Sequence, residues 1–305
     1  MTTKSEITLC DSLITFANYN DDLWTTTGAA VQPELVRWNY IGGTQNCAAI
    51  PLSIPKEEQH ITVFTDKDIL TSAVDVIKSK YKIAYINECK EIHPFIYKHI
   101  SKVEDKFDFI LTHNRDLLKR GKRYVKYIGP GTTWIKNEDA KIYKKSKLLS
   151  HIASKQNWAQ GHKLRHVISK CIKDKYEVDF WGSAHKAFKK EEKFAPLKDY
   201  CFSITVMNAN HYNYFTETLI DTFRCGTVPV FWGCKNIEDF FNTKGMLIFE
   251  TPSELKGILD NLSVEKYQSM LPHIKENFEI ANRYSHWDDT LYQIIAKELK
   301  ERFNE

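Results

Sequence analysis

The densest set of polar side chains in the sequence lies between residues 200 and 233. An apolar run over residues 200–206 predicts a strand, and a helix is predicted over residues 216–225. Gly226 ends this helix, because glycine readily takes the left-handed conformation found after helices. The loop between strand and helix contains Asn208, Asn210, His211, Tyr212, Asn213 and Tyr214. These side chains offer many hydrogen-bond donors and acceptors, as binding of a polar ligand requires.

The start of the predicted helix has the chemistry of an anion site. Free backbone amides and the positive end of the helix dipole attract negative charge there. Glu217, in the first turn, can accept hydrogen bonds from two hydroxyl groups at once, as recognition of a ribose requires. A purely structural interpretation stays open, because Thr216 is a good N-cap and glutamate favours the first turn of any helix.

Apolar runs and helical patterns alternate along the whole chain, which is typical of α/β folds with parallel sheets. Strands are predicted over residues 7–15, 60–65, 82–86, 107–112, 148–153, 177–181, 200–206, 228–232 and 246–249. Helices are predicted over residues 68–80, 92–103, 163–173, 216–225, 254–262, 264–284 and 288–303. Parallel sheets of this kind bind ligands at the carboxyl ends of their strands, so the residues that follow each strand are the candidates for a binding site.

A length of 305 residues suits two domains. The charged stretch over residues 137–147 predicts a solvent-exposed linker. We therefore expect one domain over residues 1–145 and a second over residues 146–305. The last helix is expected either to stay with the second domain or to pack back on the first one.

Composition excludes several classes of protein. The chain has 43 Lys+Arg against 39 Asp+Glu, an excess too small to indicate a nucleic-acid binder. Its seven cysteines are scattered without a CxxC pair, so neither a disulfide framework nor a zinc site is expected, and a reducing compartment is indicated. We see no signal peptide and no apolar stretch of about 20 residues, so we expect no transmembrane segment. A cytoplasmic protein, microbial or viral in style, is expected, with peripheral membrane association as an open alternative.

The motifs between residues 200 and 233 resemble those of family 10 glycosyltransferases, the α1,3/α1,4-fucosyltransferases. Asn208 is followed at the family's spacing by Tyr214-Phe215-Thr216-Glu217, and then by Gly226-Thr-Val-Pro-Val-Phe-Trp-Gly233. The resemblance implies a GT-B fold, in which two Rossmann-like domains face each other across a cleft. It also implies inverting transfer of a sugar, with fucose expected, from a GDP-sugar to a glycan or lipopolysaccharide-like acceptor. No resident cofactor, metal or nucleic acid is implied.

The resemblance also assigns the donor site residue by residue. Tyr214 and Glu217 match donor-binding positions, with Glu217 on the nucleotide ribose. Arg165 resembles the family's arginine that contacts the donor diphosphate, a task that suits its forked guanidinium, although a surface helix arginine is the alternative interpretation. Asn208, Asn210 and Thr216 complete the expected donor site.

Two residues depart from the family motif. Thr218 stands where the motif has the lysine that neutralises the diphosphate, and Met207 stands where it has a glutamate. These departures leave open a different donor, such as GDP-mannose or a UDP-sugar. They also leave open a non-catalytic module that binds nucleotides or carbohydrates.

Inverting transfer needs a general base to take the proton of the acceptor hydroxyl, and a carboxylate is the usual choice. Glu88, which follows the strand predicted over residues 82–86, is the expected catalytic base, and Glu91 is the alternative. Acceptor-site candidates are His113, Asn114 and residues 132–134, where Trp134 suits either sugar stacking or core packing. Residues 66–68 match a short Asp-x-Asp metal motif, but Asp68 also suits a helix cap, and we expect no metal site.

Overall fold

The structure, a computed structural model, describes residues 5–10, 36–41, 59–131, 133–189 and 192–303. The chain forms two compact units. The first comprises Met1–Gly129 and His286–Glu305, and the second comprises Pro130–Ser285. Within the described ranges each unit contains a parallel sheet flanked by helices, which is an α/β fold.

The first unit is built on a six-stranded parallel sheet, as far as its described residues show, in the order β2-β1-β3-β4-β5-β6. Its strands are β1 (Ser5–Cys10), β2 (Val36–Ile41), β3 (Gln59–Thr65), β4 (Ser79–Ile86), β5 (Phe109–Thr112) and β6 (Tyr124–Lys126). Its first helices are α1 (Ala73–Val76), α2 (Pro94–His99) and α3 (Arg115–Leu118). Residues 11–15 of the first predicted strand lie outside the described residues.

Successive strand residues in this sheet serve opposite faces, because strand side chains alternate. Val63, Ile83 and Phe109 belong to one apolar cluster, whereas their neighbours Phe64, Ala84 and Ile110 belong to another. A sheet covered on both faces needs such near-continuous apolar strands. The first of these clusters also contains four residues from the end of the chain: Trp287, Leu291, Ile295 and Leu299.

The second unit contains a parallel sheet whose described strands run in the order β11-β10-β9-β7-β8. They are β7 (Lys147–Ile152), β8 (Asp179–Trp181), β9 (Tyr200–Val206), β10 (Val228–Trp232) and β11 (Leu247–Ile248). The remaining α-helices in the described part of the chain are α4 (Gln160–Ile172), α5 (Ala195–Lys198), α6 (Glu217–Arg224), α7 (Pro252–Leu259), α8 (Val264–Tyr284) and α9 (Trp287–Phe303). All seven residues of the central strand β9 are buried.

The last helix, α9, packs in the first unit. Besides its apolar contacts, Tyr127 Oη donates to the carbonyl oxygen of Trp287 at 2.8 Å. Near the other end of the helix, Arg302 Nη2 donates to the carbonyl oxygen of Lys122 at 2.6 Å. The first unit is therefore made from two separate parts of the chain.

The helix predicted over residues 68–80 is wrong. Asp66–Leu70 form a 3-10 helix that ends at Thr71, whose backbone is extended, and α1 has only four residues. The strand β4 already begins at Ser79, which pairs with Gln59 of β3. Sheet pairing has therefore overridden the helical spacing of the apolar residues. The helix predicted over residues 92–103 is likewise shortened to α2, followed by a 3-10 turn.

The solvent-exposed linker predicted over residues 137–147 is also wrong in part. Lys145 Nζ donates to the carbonyl oxygen of Cys225 at 2.7 Å and to Thr227 Oγ1 at 2.9 Å. Burial lowers the pKa of Lys145 to about 8. Asn137 Oδ1 accepts from Arg224 Nη2 at 2.8 Å. These contacts tie the segment to the second unit, so the chain divides after Gly129 and not near residue 145.

No helix in the portion of the chain that the structure describes is both long and apolar enough to cross a membrane.

Candidate active site

The helix α4 brings Arg165 to the carboxyl end of β9. Arg165 Nε donates to the carbonyl oxygen of Val206 at 3.0 Å, and Nη2 donates to the same oxygen and to Asn208 Oδ1, the latter at 3.1 Å. Burial lowers the pKa of Arg165, while Glu217 and Tyr214 oppose that shift. Arginine stays charged in proteins, so these contacts hold a cation at the end of the central strand.

A glycine lets α4 begin close to this strand end. Gly161 N donates to the carbonyl oxygen of Asn208 at 2.9 Å. A Cβ atom at position 161 would lie 1.7 Å from the carbonyl oxygen of Met207, a distance that no side chain can tolerate. The close approach of α4, and with it the position of Arg165, therefore depends on glycine at this position.

Three of the predicted donor residues form one hydrogen-bonded chain. Asn208 accepts from Arg165, and its Nδ2 lies 3.5 Å from Tyr214 Oη. Tyr214 is 3% exposed, so its ring is fixed by packing. Asn210 lies apart from this chain, because its Nδ2 donates to Glu250 Oε2 at 2.8 Å, just before α7.

Thr216 caps α6, as the sequence predicts. Its Oγ1 accepts from Thr218 N at 3.4 Å. Its own backbone amide donates to Met207 Sδ at 3.3 Å. Met207 is buried, and a Cβ atom on Gly233 would lie 2.3 Å from its Cγ. Met207 therefore fills a tight space, and its sulfur serves as a weak acceptor where the family motif has a carboxylate.

Glu217 belongs to a group of side chains that sequence reasoning missed. Lys193 Nζ lies 3.3 Å from Glu217 Oε1 and 3.0 Å from Asp221 Oδ2. Asp221 Oδ1 accepts from Thr133 Oγ1 at 2.6 Å and from Trp134 N at 2.9 Å. Together these five residues form what we call the Asp221 cluster.

The Asp221 cluster holds one ammonium group, that of Lys193, between two carboxylates. The side chain of Asp221 has no exposed surface, and burial raises its pKa against the opposing effects of Lys193 and Thr133. Burial alone would lower the pKa of Lys193, but Asp221 and Glu217 raise it overall. The Lys193 ammonium also lies 5.2 Å from the centre of the Trp134 ring. A cation is thus held beside the first turn of α6, although Thr218 carries none.

Sequence signals for this cluster are weak. Asp221 stands one turn after Glu217 in a helix whose other buried residues are largely apolar, which is the one available cue. Lys193 lies in a charged run with no pattern of its own. His162 was also missed; it bonds with Asn208, and its pKa is lowered to about 4 by burial, by Arg165 and by His166.

The predicted acceptor-site candidates belong to different units of the chain. Trp134 belongs to the second unit, where it packs in the Asp221 cluster, and Thr132 lies outside the described residues. Asn114 is an N-cap, since its Oδ1 accepts from Asp116 N and Leu117 N at 3.0 Å each. His113, which directly follows β5, is buried. The structure gives Asn114 a local structural role.

Glu88 lies two residues beyond the carboxyl end of β4, in the first unit. Its backbone amide donates to Asp66 Oδ1 at 3.0 Å, and its carbonyl oxygen accepts from Tyr97 Oη at 2.6 Å. The side chain is partly exposed. Among the residues that the structure describes, no three His, Cys, Asp or Glu side chains are grouped so as to hold a metal ion.

A cavity of about 230 Å³ lies between α4 and α7 in the second unit. Its walls are mostly apolar and include Leu164, Ile168, Phe249 and Leu255. Such a lining provides little to bind a diphosphate, so the polar site at the end of β9 remains the candidate active site.

Residues 142–303, more than half of the chain, match the family described as "Glycosyltransferase family 10 (fucosyltransferase) C-term". This chain belongs to glycosyltransferase family 10. A putative fucosyltransferase-like protein from Arabidopsis thaliana is 36% identical to this family 10 glycosyltransferase over 70 residues, 23% of this chain. That match spans only 14% of the Arabidopsis protein.

Solved structures share the fold of this family 10 glycosyltransferase. An α1,3-fucosyltransferase determined with GDP has a TM-score of 0.54 at 13% identity, over 92% of this chain and 89% of that one. The N-terminal domain of Candida albicans trehalose-6-phosphate phosphatase has a TM-score of 0.60 at 10% identity, over 97% of each chain. An α-glucosyltransferase in complex with UDP-glucose and DNA has a TM-score of 0.52 at 13% identity, over 79% of this chain and 80% of that one. The predicted family and GT-B fold are confirmed.

Proposed function

We propose that this family 10 glycosyltransferase transfers fucose from GDP-fucose, with inversion, to a hydroxyl group of a glycan or lipopolysaccharide-like acceptor. The observation that carries the proposal is the hydrogen-bonded chain from Arg165 through Asn208 to Tyr214, at the end of β9. Related α1,3-fucosyltransferase structures hold GDP and GDP-fucose, which supports a GDP-sugar as donor.

In the proposed complex, the second unit binds the donor. The diphosphate lies near the Arg165 guanidinium and the free amides of the first turn of α6, both of which favour anions. Glu217 accepts hydrogen bonds from the ribose hydroxyls. Its carboxylate is already oriented by Lys193 at 3.3 Å and by Thr218 Oγ1 at 3.2 Å. Asn210 and Thr216 are the remaining polar residues of the proposed donor site.

The first unit supplies the general base in this proposal. The acceptor oxygen attacks C1 of fucose as the Glu88 carboxylate takes the hydroxyl proton. The bond between C1 and the phosphate oxygen breaks, and its electron pair leaves with GDP. Arg165 and the helix amides stabilise the charge that develops on the leaving diphosphate, so no divalent cation is needed. Attack opposite the leaving group inverts the configuration at C1.

The second candidate function is transfer from a different donor that binds in the same site. One observation supports testing it. Thr218 carries no charge at the position of the motif lysine, and the nearby cation of Lys193 is paired with the buried Asp221. A donor such as GDP-mannose or a UDP-sugar would still meet Arg165 and Glu217. A non-catalytic binding module would retain nucleotide affinity without turnover.

Calorimetry and a nucleotide-release assay separate these candidates. We expect GDP to bind at least about tenfold more tightly than UDP, which corresponds to about 1.4 kcal/mol. We expect GDP to be released from GDP-fucose faster than from GDP-mannose when a glycan mixture is added. Preferential binding of UDP would overturn the donor assignment. GDP binding without any release, with or without acceptor, would instead identify a binding module.

A further inference from the structure

Asp66 has an uncommon backbone conformation at the carboxyl end of β3. Its φ angle is +43°, in the left-handed region that few residues other than glycine enter. Its side chain is nearly buried, with 6% of the residue exposed. Aspartate tolerates this region better than most residues, but such a conformation persists only where the surroundings enforce it.

The carboxylate of Asp66 binds the chain that leaves the neighbouring strand. Its Oδ1 atom accepts from Asn87 N and from Glu88 N, each at 3.0 Å. β3 and β4 are paired up to Thr65 and Tyr85, so Asp66 connects the two strand ends directly beyond the sheet. The hydrogen bonds that a carboxylate accepts from two backbone amides are charge-assisted and therefore strong.

Further contacts fix the same turn. Tyr97 Oη donates to the carbonyl oxygen of Glu88 at 2.6 Å. The carbonyl oxygen of the next residue, Cys89, accepts from the amides of Ile92 and His93 at 3.0 Å each. Cys89 itself is fully buried. The backbone of Glu88 is therefore held on both sides, while its side chain stays partly exposed.

We infer that Asp66 is the positioning residue for Glu88, which its carboxylate holds in place through the two backbone amides. The inference rests on the proposed role of Glu88 as general base. A base must lie within hydrogen-bond reach of the proton that it takes, and a misplacement of about 1 Å costs about 100-fold in rate. The left-handed backbone of Asp66 is the conformation from which its side chain reaches both amides in this structure.

Two substitutions separate the carboxylate contact from the backbone strain. Asp66→Asn keeps an acceptor oxygen and tolerates positive φ, so we expect turnover within about threefold of wild type. Asp66→Gly relieves the strain but removes the acceptor. We expect this variant to lose at least about tenfold in kcat, with unchanged GDP affinity. A glycine variant as active as the asparagine variant would overturn the inference.

A double-mutant cycle tests whether Asp66 acts through Glu88. In the Glu88→Gln background, Asp66→Gly should cause no further loss of turnover, because the base is already absent. Equal losses in both backgrounds would overturn the positioning role.

Backbone hydrogen exchange at residues 87 and 88 tests the contact without any catalysis. We expect at least about tenfold faster exchange in Asp66→Gly than in Asp66→Asn, with β5 amides as the internal control. Unchanged exchange would overturn the inference even if the enzyme is active. If wild-type protein releases no GDP from GDP-fucose, the proposed function fails, and the role of Asp66 in positioning a catalytic base fails with it. The exchange result then still shows separately whether Asp66 holds the turn.

Discussion

Lys193 and Asp221 form an ion pair inside the second unit, with 3.0 Å between Nζ and Oδ2. Asp221 is the more deeply buried partner. Its other carboxylate oxygen, Oδ1, accepts hydrogen bonds from Thr133 Oγ1 and Trp134 N. A buried pair adds little net stability compared with apolar packing, but removal of one partner leaves a charge that water cannot reach. The pair also lies one helical turn from Glu217, so it connects the stability of α6 with the proposed donor site.

Lys193→Met should therefore destabilise the protein. We expect the free energy of unfolding to fall by about 3–5 kcal/mol in urea denaturation, because Asp221 loses its counter-charge. Lys170→Met, at an exposed position on α4, is the control and should change the free energy of unfolding by less than about 0.5 kcal/mol. Adding Asp221→Asn to the Lys193 variant should recover part of the loss. A Lys193 variant as stable as the control would contradict the ion pair.

Glu217→Ala should weaken donor binding. One charge-assisted contact to the ribose is worth about 1.5–3 kcal/mol, so GDP affinity in calorimetry should fall about 10- to 150-fold. Glu265→Ala is a matched control, since Glu265 is also a first-turn glutamate, on α8. If Glu217→Ala lowers the melting temperature but leaves GDP affinity unchanged, Glu217 only stabilises the first turn of α6 and does not bind the donor.

Glu88→Gln should abolish transfer while donor binding is kept. Glutamine preserves the size of the side chain but cannot take a proton at neutral pH, and loss of a general base costs about 10²–10⁴-fold in rate. Turnover and GDP affinity should be measured side by side, with Glu91→Gln as the control. If Glu88→Gln retains more than about a tenth of wild-type turnover, the base lies elsewhere, and Glu91 or His113 is the next candidate.

Transfer should proceed without a divalent cation. In the proposed complex, Arg165 and the amides of α6 provide the positive charge that the leaving diphosphate needs. We expect GDP release from GDP-fucose to be unchanged by EDTA and by added Mn²⁺ or Mg²⁺. Loss of activity in EDTA that manganese restores would refute this prediction.

Stability should fall in mild acid because of His151. This residue is fully buried in β7, and burial lowers its pKa from 6.5 to about 4. As the pH falls from 6.5 towards 4, the unfolded chain takes up a proton that the folded protein resists. The contribution of His151, about 3 kcal/mol, is therefore present above pH 6.5 and lost below it. His151→Gln should flatten this part of the urea-denaturation profile, and an identical profile would contradict the buried neutral imidazole.

Local patterns in the sequence predicted much of the second unit. The predicted bounds of β9, β10 and α8 agree with the structure. Gly226 has the expected positive φ, and Thr251 and Glu254 form a capping box just before the start predicted for its helix. Each of these features depends on a few neighbouring residues, so a single sequence contains the signal.

Features that depend on distant partners could not be predicted in the same way. The helix expected over residues 68–80 was replaced by a 3-10 helix, the short α1 and the start of β4, where Ser79 pairs with β3. Lys145 and Lys193 look like surface lysines in sequence, but their partners stand dozens of positions away. A family motif was enough to group the donor candidates Arg165, Asn208 and Tyr214. The hydrogen bonds that join them could not be predicted, because they depend on side-chain positions that the sequence does not show.

The placement of α9 in the first unit has a consequence for the order of events at the ribosome. The sheet of the first unit leaves the exit tunnel early, but Trp287, Leu291 and Ile295, which cover one of its faces, are translated only after the whole second unit. At bacterial or eukaryotic elongation rates, translating the second unit takes on the order of ten seconds. During that interval the nascent first unit exposes an apolar sheet face. The first unit therefore cannot complete its core before the second unit has been synthesised, and chaperones have a defined surface and a defined time in which to act.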